Sequence, residues 1–209
     1  MANDYISDAL IRRLPSYYRH LRELEAEGIE QISSKELGER MHQTPSQVRQ
    51  DINCFGGVGR QGYGYHVPEL KKRVGEILGL DHEHRMIIIG AGSIGSAVAR
   101  YPSFSNEGFR TIALFDNRPE AIGRQIGDLT VQSTENLERF LDENLVDIAV
   151  LAVPKHAAQE VMDRLLAKQV AAVWNFAPTD LQYDPQRCTV VNVHLSDSLH
   201  ILSYRMAQP

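Results

Sequence analysis

Three glycines and one carboxylate carry the strongest chemical signal in this chain: Gly90, Gly92 and Gly95 in Gly90-Ala91-Gly92-Ser93-Ile94-Gly95, and Asp116 some way beyond them. A G-x-G-x-x-G turn between a strand and a helix suits a pyrophosphate. The first glycine permits the sharp turn, the second lets the phosphate approach the backbone, and the third lets the helix pack closely on the strand. The helix N-terminus adds free N–H groups and a partial positive charge. An acid ~20 residues past the turn hydrogen-bonds a ribose 2′-hydroxyl and repels a 2′-phosphate, so Asp116 favours NAD(H) over NADP(H). Arg118, just after the acid, is a basic group able to court a 2′-phosphate.

The elements that must hold these residues are legible on either side. Arg85-Met86-Ile87-Ile88-Ile89 is an uninterrupted apolar run bounded by glycine, which predicts a buried parallel strand, and Ser96-Ala97-Val98-Ala99 favours helix. Thr111 to Phe115 is a second strand ending at Asp116. The alternation then continues: a short strand at Thr130-Val131, a helix from Glu135 to Asn144, a strand from Asp147 to Val153 and a helix from Lys155 to Lys168. Strands at Val170 to Phe176 and Thr189 to Val193 follow. The expected architecture is α/β, a Rossmann doubly wound parallel sheet with its ligand at the carboxyl ends of the strands.

Two of those ends are distinctive, Ala152-Val153-Pro154 and Asn175-Phe176-Ala177-Pro178. Both could line the nicotinamide half of a dinucleotide, with Phe176 offering a flat apolar surface to the ring. An enzyme would also need an acid, base or nucleophile over that ring, usually from a second substrate domain, and no length of chain remains for one. Tyr101 and His194 are stray candidates with no motif around them. The expectation is a cofactor-binding protein that is not an enzyme; a small NAD(H)-dependent oxidoreductase and a CoA-binding module are the alternatives.

The first eighty residues read differently. Ile6 to Glu27 spaces Leu10, Leu14, Tyr17, Leu21 and Leu24 as an amphipathic helix stopped by Gly28. Pro15 either kinks it or marks its true first turn. Ser33-Ser34-Lys35-Glu36 fits a capping box opening a helix to about Met41, and Thr44-Pro45-Ser46-Gln47 opens another, the two forming a helix-turn-helix. In the second helix Val48, Ile52 and Phe55 must pack inward. Ser46, Gln47, Arg49, Gln50 and Asn53 then point outward, and all can hydrogen-bond base edges and phosphates. The glycines from 56 to 64, interleaved with Arg60, Tyr63 and Tyr65, suggest a tight hairpin, the wing of a winged helix. Lys35, Thr44, Arg60 and Tyr63 complete the candidate DNA contacts. Expected boundaries are 1–80 for the winged helix (helix-turn-helix about 17–56, wing about 57–67), 81–193 for the dinucleotide domain and 194–209 for a last helix. That helix carries Leu195, Leu199, Leu202 and Met206 on one stripe, which either caps its own sheet or inserts into a partner subunit.

Charge agrees with this division. The chain of 209 residues has a formal net charge of −5, yet residues 1–80 are balanced, so the acidity belongs to the second part. Arg40, Arg49, Arg60, Lys71, Lys72 and Arg73 face only Asp51 and Glu69 within residues 40–73, a usable phosphate-binding patch. No apolar run approaches the ~18 residues of a membrane span, and the first residues lack a secretory pattern, so a cytoplasmic protein is expected. Cys54 and Cys188 match neither a metal spacing nor a redox motif, and Asp81-His82-Glu83-His84 is a polar linker without a fourth ligand at a known spacing; no metal is expected.

From end to end the chain resembles the Rex family of redox-sensing transcriptional repressors. The matching segments are Ser33-Ser34-Lys35-Glu36-Leu37-Gly38, Thr44-Pro45-x-Gln47-Val48-Arg49-x-Asp51, Gly62-x-Gly64-Tyr65, Glu76-Ile77-Leu78-Gly79-Leu80, Arg100-Tyr101-Pro102-x-Phe104, Asn175-Phe176-Ala177-Pro178 and Leu202-Ser203-Tyr204. The resemblance implies a homodimer that occupies a pseudo-palindromic operator when NADH is scarce and leaves it when NADH binds, controlling fermentation and respiration genes. It implies a C-terminal helix exchanged between subunits and a nicotinamide near the dimer interface, close to Tyr101 and Phe176. The chain departs from the family at Gln50, where a lysine is usual, and at Gln61, where the wing usually carries an arginine, although Arg60 is adjacent. Losing two phosphate contacts should weaken DNA binding and flatten its salt dependence. His194 stands where many relatives place an aspartate that can pair with counterparts of Tyr101 and Arg19. A rewired or pH-sensitive switch through Arg19, Tyr101 and His194 is therefore expected.

Overall fold

The computed structural model describes residues 6–56 and 64–207. The chain divides into two compact units, Met1–His82 and Glu83–Pro209.

In the first unit the Ser7 hydroxyl caps α1 (Asp8–Ile11). Pro15 lies in the first turn of α2 (Leu14–Ala26), where a missing N–H leaves no bond unmade, so of the two readings of that proline the helix start holds. Leu14, Tyr17, Leu21 and Leu24 are buried along one face of α2. Strand β1 (Gln31–Ile32) leads to Ser33, whose hydroxyl accepts from the Glu36 N–H while the Glu36 carboxylate accepts from the Ser33 N–H, opening α3 (Ser34–Met41). His42 turns the chain in the left-handed region (φ 54°), and the Thr44 hydroxyl, accepting from the Gln47 N–H at 3.2 Å, starts α4 (Pro45–Cys54). Strand β2 (Tyr65–His66) pairs antiparallel with β1 and runs into α5 (Val67–Ile77). Val48, Ile52 and Phe55 pack inward with α2 and α5. The expected wing, with Arg60, Gln61 and Tyr63, lies largely at residues 57–63, outside the described residues.

The second unit opens with β3 (His84–Ile89), α6 (Ser93–Ala99) and the short α7 (Ser103–Asn106). It continues through β4 (Phe109–Asp116), β5 (Gln125–Ile126), β6 (Leu129–Ser133) and α8 (Leu137–Glu143). Then come β7 (Ile148–Leu151), α9 (Lys155–Ala167), β8 (Ala172–Asn175), β9 (Thr189–Asn192) and α10 (Leu195–Met206). The seven strands lie in the order β5-β6-β4-β3-β7-β8-β9, a Rossmann order in which successive units wind to opposite sides of β3. The sheet is not wholly parallel as expected: β5 pairs antiparallel with β6, a two-residue edge strand too short to leave a hydrophobic periodicity in the sequence.

Alternation along β3 explains its unbroken apolar run. Ile87 and Ile89 enter the core on one face of the sheet, Met86 and Ile88 the core on the other, and all four are buried. Both faces are covered, so no polar residue has a place there, and each burial contributes roughly 1.5–3 kcal/mol. Helix α10 is the exception. It buries none of its residues, so in this chain the Leu195, Leu199, Leu202 and Met206 stripe does not cap its own sheet.

Candidate functional site

The turn after β3 sits where the winding reverses between β4 and β7, and a cleft of about 630 Å³ opens there. Gly90 is at φ 104°, and a Cβ on it would collide with the Ala152 carbonyl of the strand end alongside; a Cβ on Gly95 would collide with the Gly90 carbonyl. Gly92 differs: a Cβ there meets nothing within 4 Å, which leaves the backbone open to a bulky group approaching from the cleft. Gly90, Gly92, Ser93 and Ile94 line one wall, Val153 and Pro154 a second, and Phe176 and Pro178 a third. The donor set and the open cradle at Gly92 fit a dinucleotide pyrophosphate.

Asp116 lines the cleft at the end of β4 but is only 4% exposed and fully engaged. Its Oδ2 accepts from the Ala91 N–H at 2.8 Å and from Arg118 Nη2 at 2.9 Å; its Oδ1 accepts from the Arg118 N–H at 2.9 Å and Arg118 Nε at 3.0 Å. Burial alone raises its pKa, but the Arg118 side chain and these two backbone donors prevail and hold the carboxyl below the usual range. The predicted ribose acid is thus ionised and already clamped.

Several expected residues stand behind the cleft rather than on it. Gly95 and Ala91 support the turn from beneath. Asn175 is buried and supports the neighbouring turn: its Nδ2 donates to the Thr179 carbonyl at 2.9 Å and to Asn192 Oδ1 at 2.8 Å, and its Oδ1 accepts from the Ala177 N–H at 3.0 Å. Ala177 is buried in the same turn, so Asn175 and Ala177 present Phe176 and Pro178 instead of lining the wall. Tyr101 is not part of the cleft lining either; it is exposed and ends an aromatic series of Tyr101, Phe104, Trp174 and Phe176, with successive ring centroids 4.7, 5.8 and 4.6 Å apart. His194 Nε2 lies 3.9 Å from Asp180 Oδ1, and Arg19 is exposed on α2 of the first unit. The sequence reading missed Asn117 and, on α9, His156, Ala157 and Glu160, which line the cleft. Their signal was available, since the first turns after a parallel strand's carboxyl end border such a cleft.

In the first unit, α4 exposes Ser46, Arg49, Gln50 and Asn53, with Thr44 and Lys35 exposed near the starts of α4 and α3. Arg49 Nη1 donates to Ser34 Oγ at 3.1 Å, steadying α4 against α3. Gln47 is half-buried and turned away from that surface, its amide donating to Asp51 Oδ1 at 2.8 Å. Asp51 is the residue sequence reading undervalued. Buried on α4, it also accepts from Arg13 Nη2 at 2.7 Å, Arg13 Nε at 2.8 Å and the Tyr17 hydroxyl at 3.1 Å. The expected basic patch is also largely neutralised. Arg40 forks onto Glu27 at 3.0 and 2.8 Å, Lys71 bonds Glu25, and Arg73 bonds Glu76 and the Phe55 carbonyl. Glu25 of α2 and Glu27 at its C-terminal cap reach the patch only through the tertiary fold, whereas Glu76 comes from the next turn of α5.

A dinucleotide-type sheet carrying a glycine-turn cleft, joined to a helix-turn-helix unit with an exposed polar face, defines the class of cofactor-responsive DNA-binding regulators. Comparison with known proteins makes this particular. Residues 81–179 match the family described as "CoA binding domain", and residues 5–53 the one described as "Putative DNA-binding protein N-terminus". The redox-sensing transcriptional repressor Rex of Clostridium botulinum (strain Eklund 17B / Type B) is 48% identical over 206 residues, covering 99% of this chain and 98% of that protein. Rex of Clostridioides difficile (strain 630) is 47% identical over 208 residues, covering 100% and 99%. The crystal structure of RSP in complex with β-NAD+ and operator DNA matches with a TM-score of 0.90 at 48% identity, over 96% of this chain and 92% of that one. That of RSP in complex with β-NADH matches with a TM-score of 0.88 at 46% identity, over 97% and 94%. This chain belongs to the Rex family of redox-sensing transcriptional repressors, regulators and not enzymes. Among the described residues no helix is long and apolar enough to cross a membrane.

Proposed function

We propose that this protein represses transcription by binding a pseudo-palindromic operator as a homodimer and that NADH releases it. The observation that carries the reading is the pairing, in one chain, of the Gly90–Gly95 cleft with the exposed face of α4, in a fold shared with RSP bound to NAD+ and operator DNA. Gly92, Ser93 and Ile94 would hold the pyrophosphate, Asp116 the adenosine ribose, and Val153, Pro154 and Phe176 the nicotinamide half. Ser46, Arg49, Gln50 and Asn53 would meet base edges and phosphates, with Lys35, Thr44, Arg60 and Tyr63 as further candidate contacts and Gln47 acting through Asp51 to set the helix.

The exposed stripe of α10 supports the dimer. Leu195, Leu199, Leu202 and Met206 are 53–77% exposed, an apolar surface that a second copy of this chain would cover. Tyr101, exposed at the end of the aromatic series from Phe176, would then report nicotinamide state to the partner and, through Arg19 and His194, to the DNA-binding unit. NADH can release DNA only by its differential affinity for the two dimer arrangements. We assign the protein to the cytoplasm and its targets to fermentation and respiration genes.

The test is fluorescence anisotropy of a labelled family-type palindrome at stated salt, titrated with NADH, NAD+ and, as a control for the matched CoA-binding description, CoA. Release by NADH alone is expected. Operator binding indifferent to NADH overturns the sensing function. A monomer by light scattering that Leu199→Glu with Leu202→Glu leaves unchanged overturns the α10 dimer.

A further inference from the structure

The clamp on Asp116 bears on which nucleotide the cleft takes, an inference that rests on the dinucleotide reading above. A carboxylate excludes a 2′-phosphate when it faces the ribose as a bare negative charge with free lone pairs. Here neither condition holds. Both oxygens of Asp116 are bonded twice, and the Arg118 guanidinium lies across them through Nε and Nη2, neutralising the charge at the cleft wall.

Arg118 is also placed to change partners. Its side chain is 49% exposed against 4% for that of Asp116, it lines the same cleft, and its Nη1 makes no bond to the described residues. If the guanidinium turned outward, Asp116 would still accept from the N–H groups of Ala91 and Arg118, so moving the side chain does not strand a buried charge. A ribose hydroxyl needs that same displacement, because it must take a lone pair from Arg118. For the 2′-hydroxyl the guanidinium exchanges a carboxylate for a neutral hydroxyl oxygen, a weaker acceptor. For a 2′-phosphate it exchanges a carboxylate for a more highly charged acceptor that suits its planar fork. Glu120 is the nearby acid that also draws on Arg118, and Glu160 lines the cleft from α9. Neither bonds the guanidinium.

We infer that Arg118 makes the adenosine-ribose end of this cleft accept a 2′-phosphate as well as a 2′-hydroxyl, so that NADP(H) is a second class of ligand for this protein. Isothermal titration of the full-length chain with NADH and with NADPH tests it. The expected result is an NADPH dissociation constant within about tenfold of that for NADH. Arg118→Ala should raise the NADPH to NADH ratio by about 30-fold, as one charge-assisted contact predicts. NADH binding by that variant shows that it folds. Should it bind neither nucleotide, Arg118→Gln takes its place and the same ratio decides. Tight NADH binding with NADPH weaker than tenfold, or a ratio that the Arg118 substitution leaves unchanged, overturns the inference and leaves the dinucleotide reading intact. Binding of neither nucleotide by the unsubstituted chain overturns both.

Discussion

Asp51→Asn should destabilise the first unit far more than its near-identity of shape suggests. Oδ1 accepts from Arg13 Nη2 and Gln47 Nε2, and Oδ2 accepts from Arg13 Nε and the Tyr17 hydroxyl. An asparagine amide sets its NH2 group against an Arg13 N–H in either orientation, beside Gln47 Nε2 or a Tyr17 hydroxyl that must turn to accept, and the charge that compensates Arg13 is gone. The Asp51 side chain is 3% exposed, so the loss is felt at low dielectric, whereas Arg13 is 30% exposed and regains part of it from water. Removing one partner of a buried pair costs about 3–5 kcal/mol, and the wet guanidinium brings this to roughly 2–4 kcal/mol. For a unit of this size that lowers the melting temperature by roughly 8–30 °C. Trp174 is the only tryptophan and lies in the second unit, so its fluorescence follows that unit while far-UV circular dichroism follows both. The dichroism transition should move and the tryptophan transition should stay. The gap also depends on pH with a definite sign. Burial alone raises the Asp51 pKa, but Arg13, Gln47 and Tyr17 hold it below the usual range. Its stabilisation is therefore present above about pH 4, the ordinary carboxylate value, and fades as pH falls towards the folded-state value, so wild type and variant converge in acid. A first-unit transition that shifts by less than about 3 °C at neutral pH would refute the reasoning.

Gly95→Ala should drive a methyl into the Gly90 carbonyl and towards Ile88 Cγ2 at 3.2 Å. The expected cost is roughly 1–3 kcal/mol on the tryptophan transition together with loss of NADH binding by calorimetry; wild-type affinity in the variant would contradict this. The Glu138 carboxylate, held at about 2 chiefly by the Arg164 side chain, should stabilise the second unit above about pH 4, with the effect fading as pH falls towards that value. Arg164→Met should flatten this acid limb in a tryptophan-monitored melt, and an unchanged limb would assign the dependence elsewhere. Gln50→Lys, on the exposed face of α4, should tighten operator binding and steepen the log–log salt slope by about 1; an unchanged slope would mean that position 50 meets no phosphate.

Much of the fold was legible because local chemistry and tertiary position agree. The Ser33 and Thr44 caps, the proline at the start of α2, the β3 run and the glycine turn each follow from short-range rules that the packing leaves in place. The cleft was legible only in part. Its glycines, Asp116 and the strand-end residues Val153, Pro154, Phe176 and Pro178 could be read from motif and spacing. Asn175 and Ala177 share a motif with Phe176, and a motif does not say which of its members faces outward. The two-residue β5 left no pattern strong enough to read, and His156 and Glu160 were marked only by their place just after a strand's carboxyl end.

Residue types and their local pattern are written along the chain: a glycine turn with an acid beyond it, an amphipathic helix-turn-helix and an apolar stripe on the last helix. Those are local properties, set by backbone freedom, capping and helical or strand period. The tertiary structure decided who partners whom. It placed Glu27, at the C-terminal cap of α2, on Arg40 of α3 and Glu25 of α2 on Lys71 of α5, closed Arg13 and Tyr17 over Asp51, left α10 uncovered and laid Arg118 across Asp116. Charge pairing acts over a few ångströms of space between residues the sequence can separate widely, so a charge count along the chain records which ions are present and only the fold decides which of them stay available to a ligand.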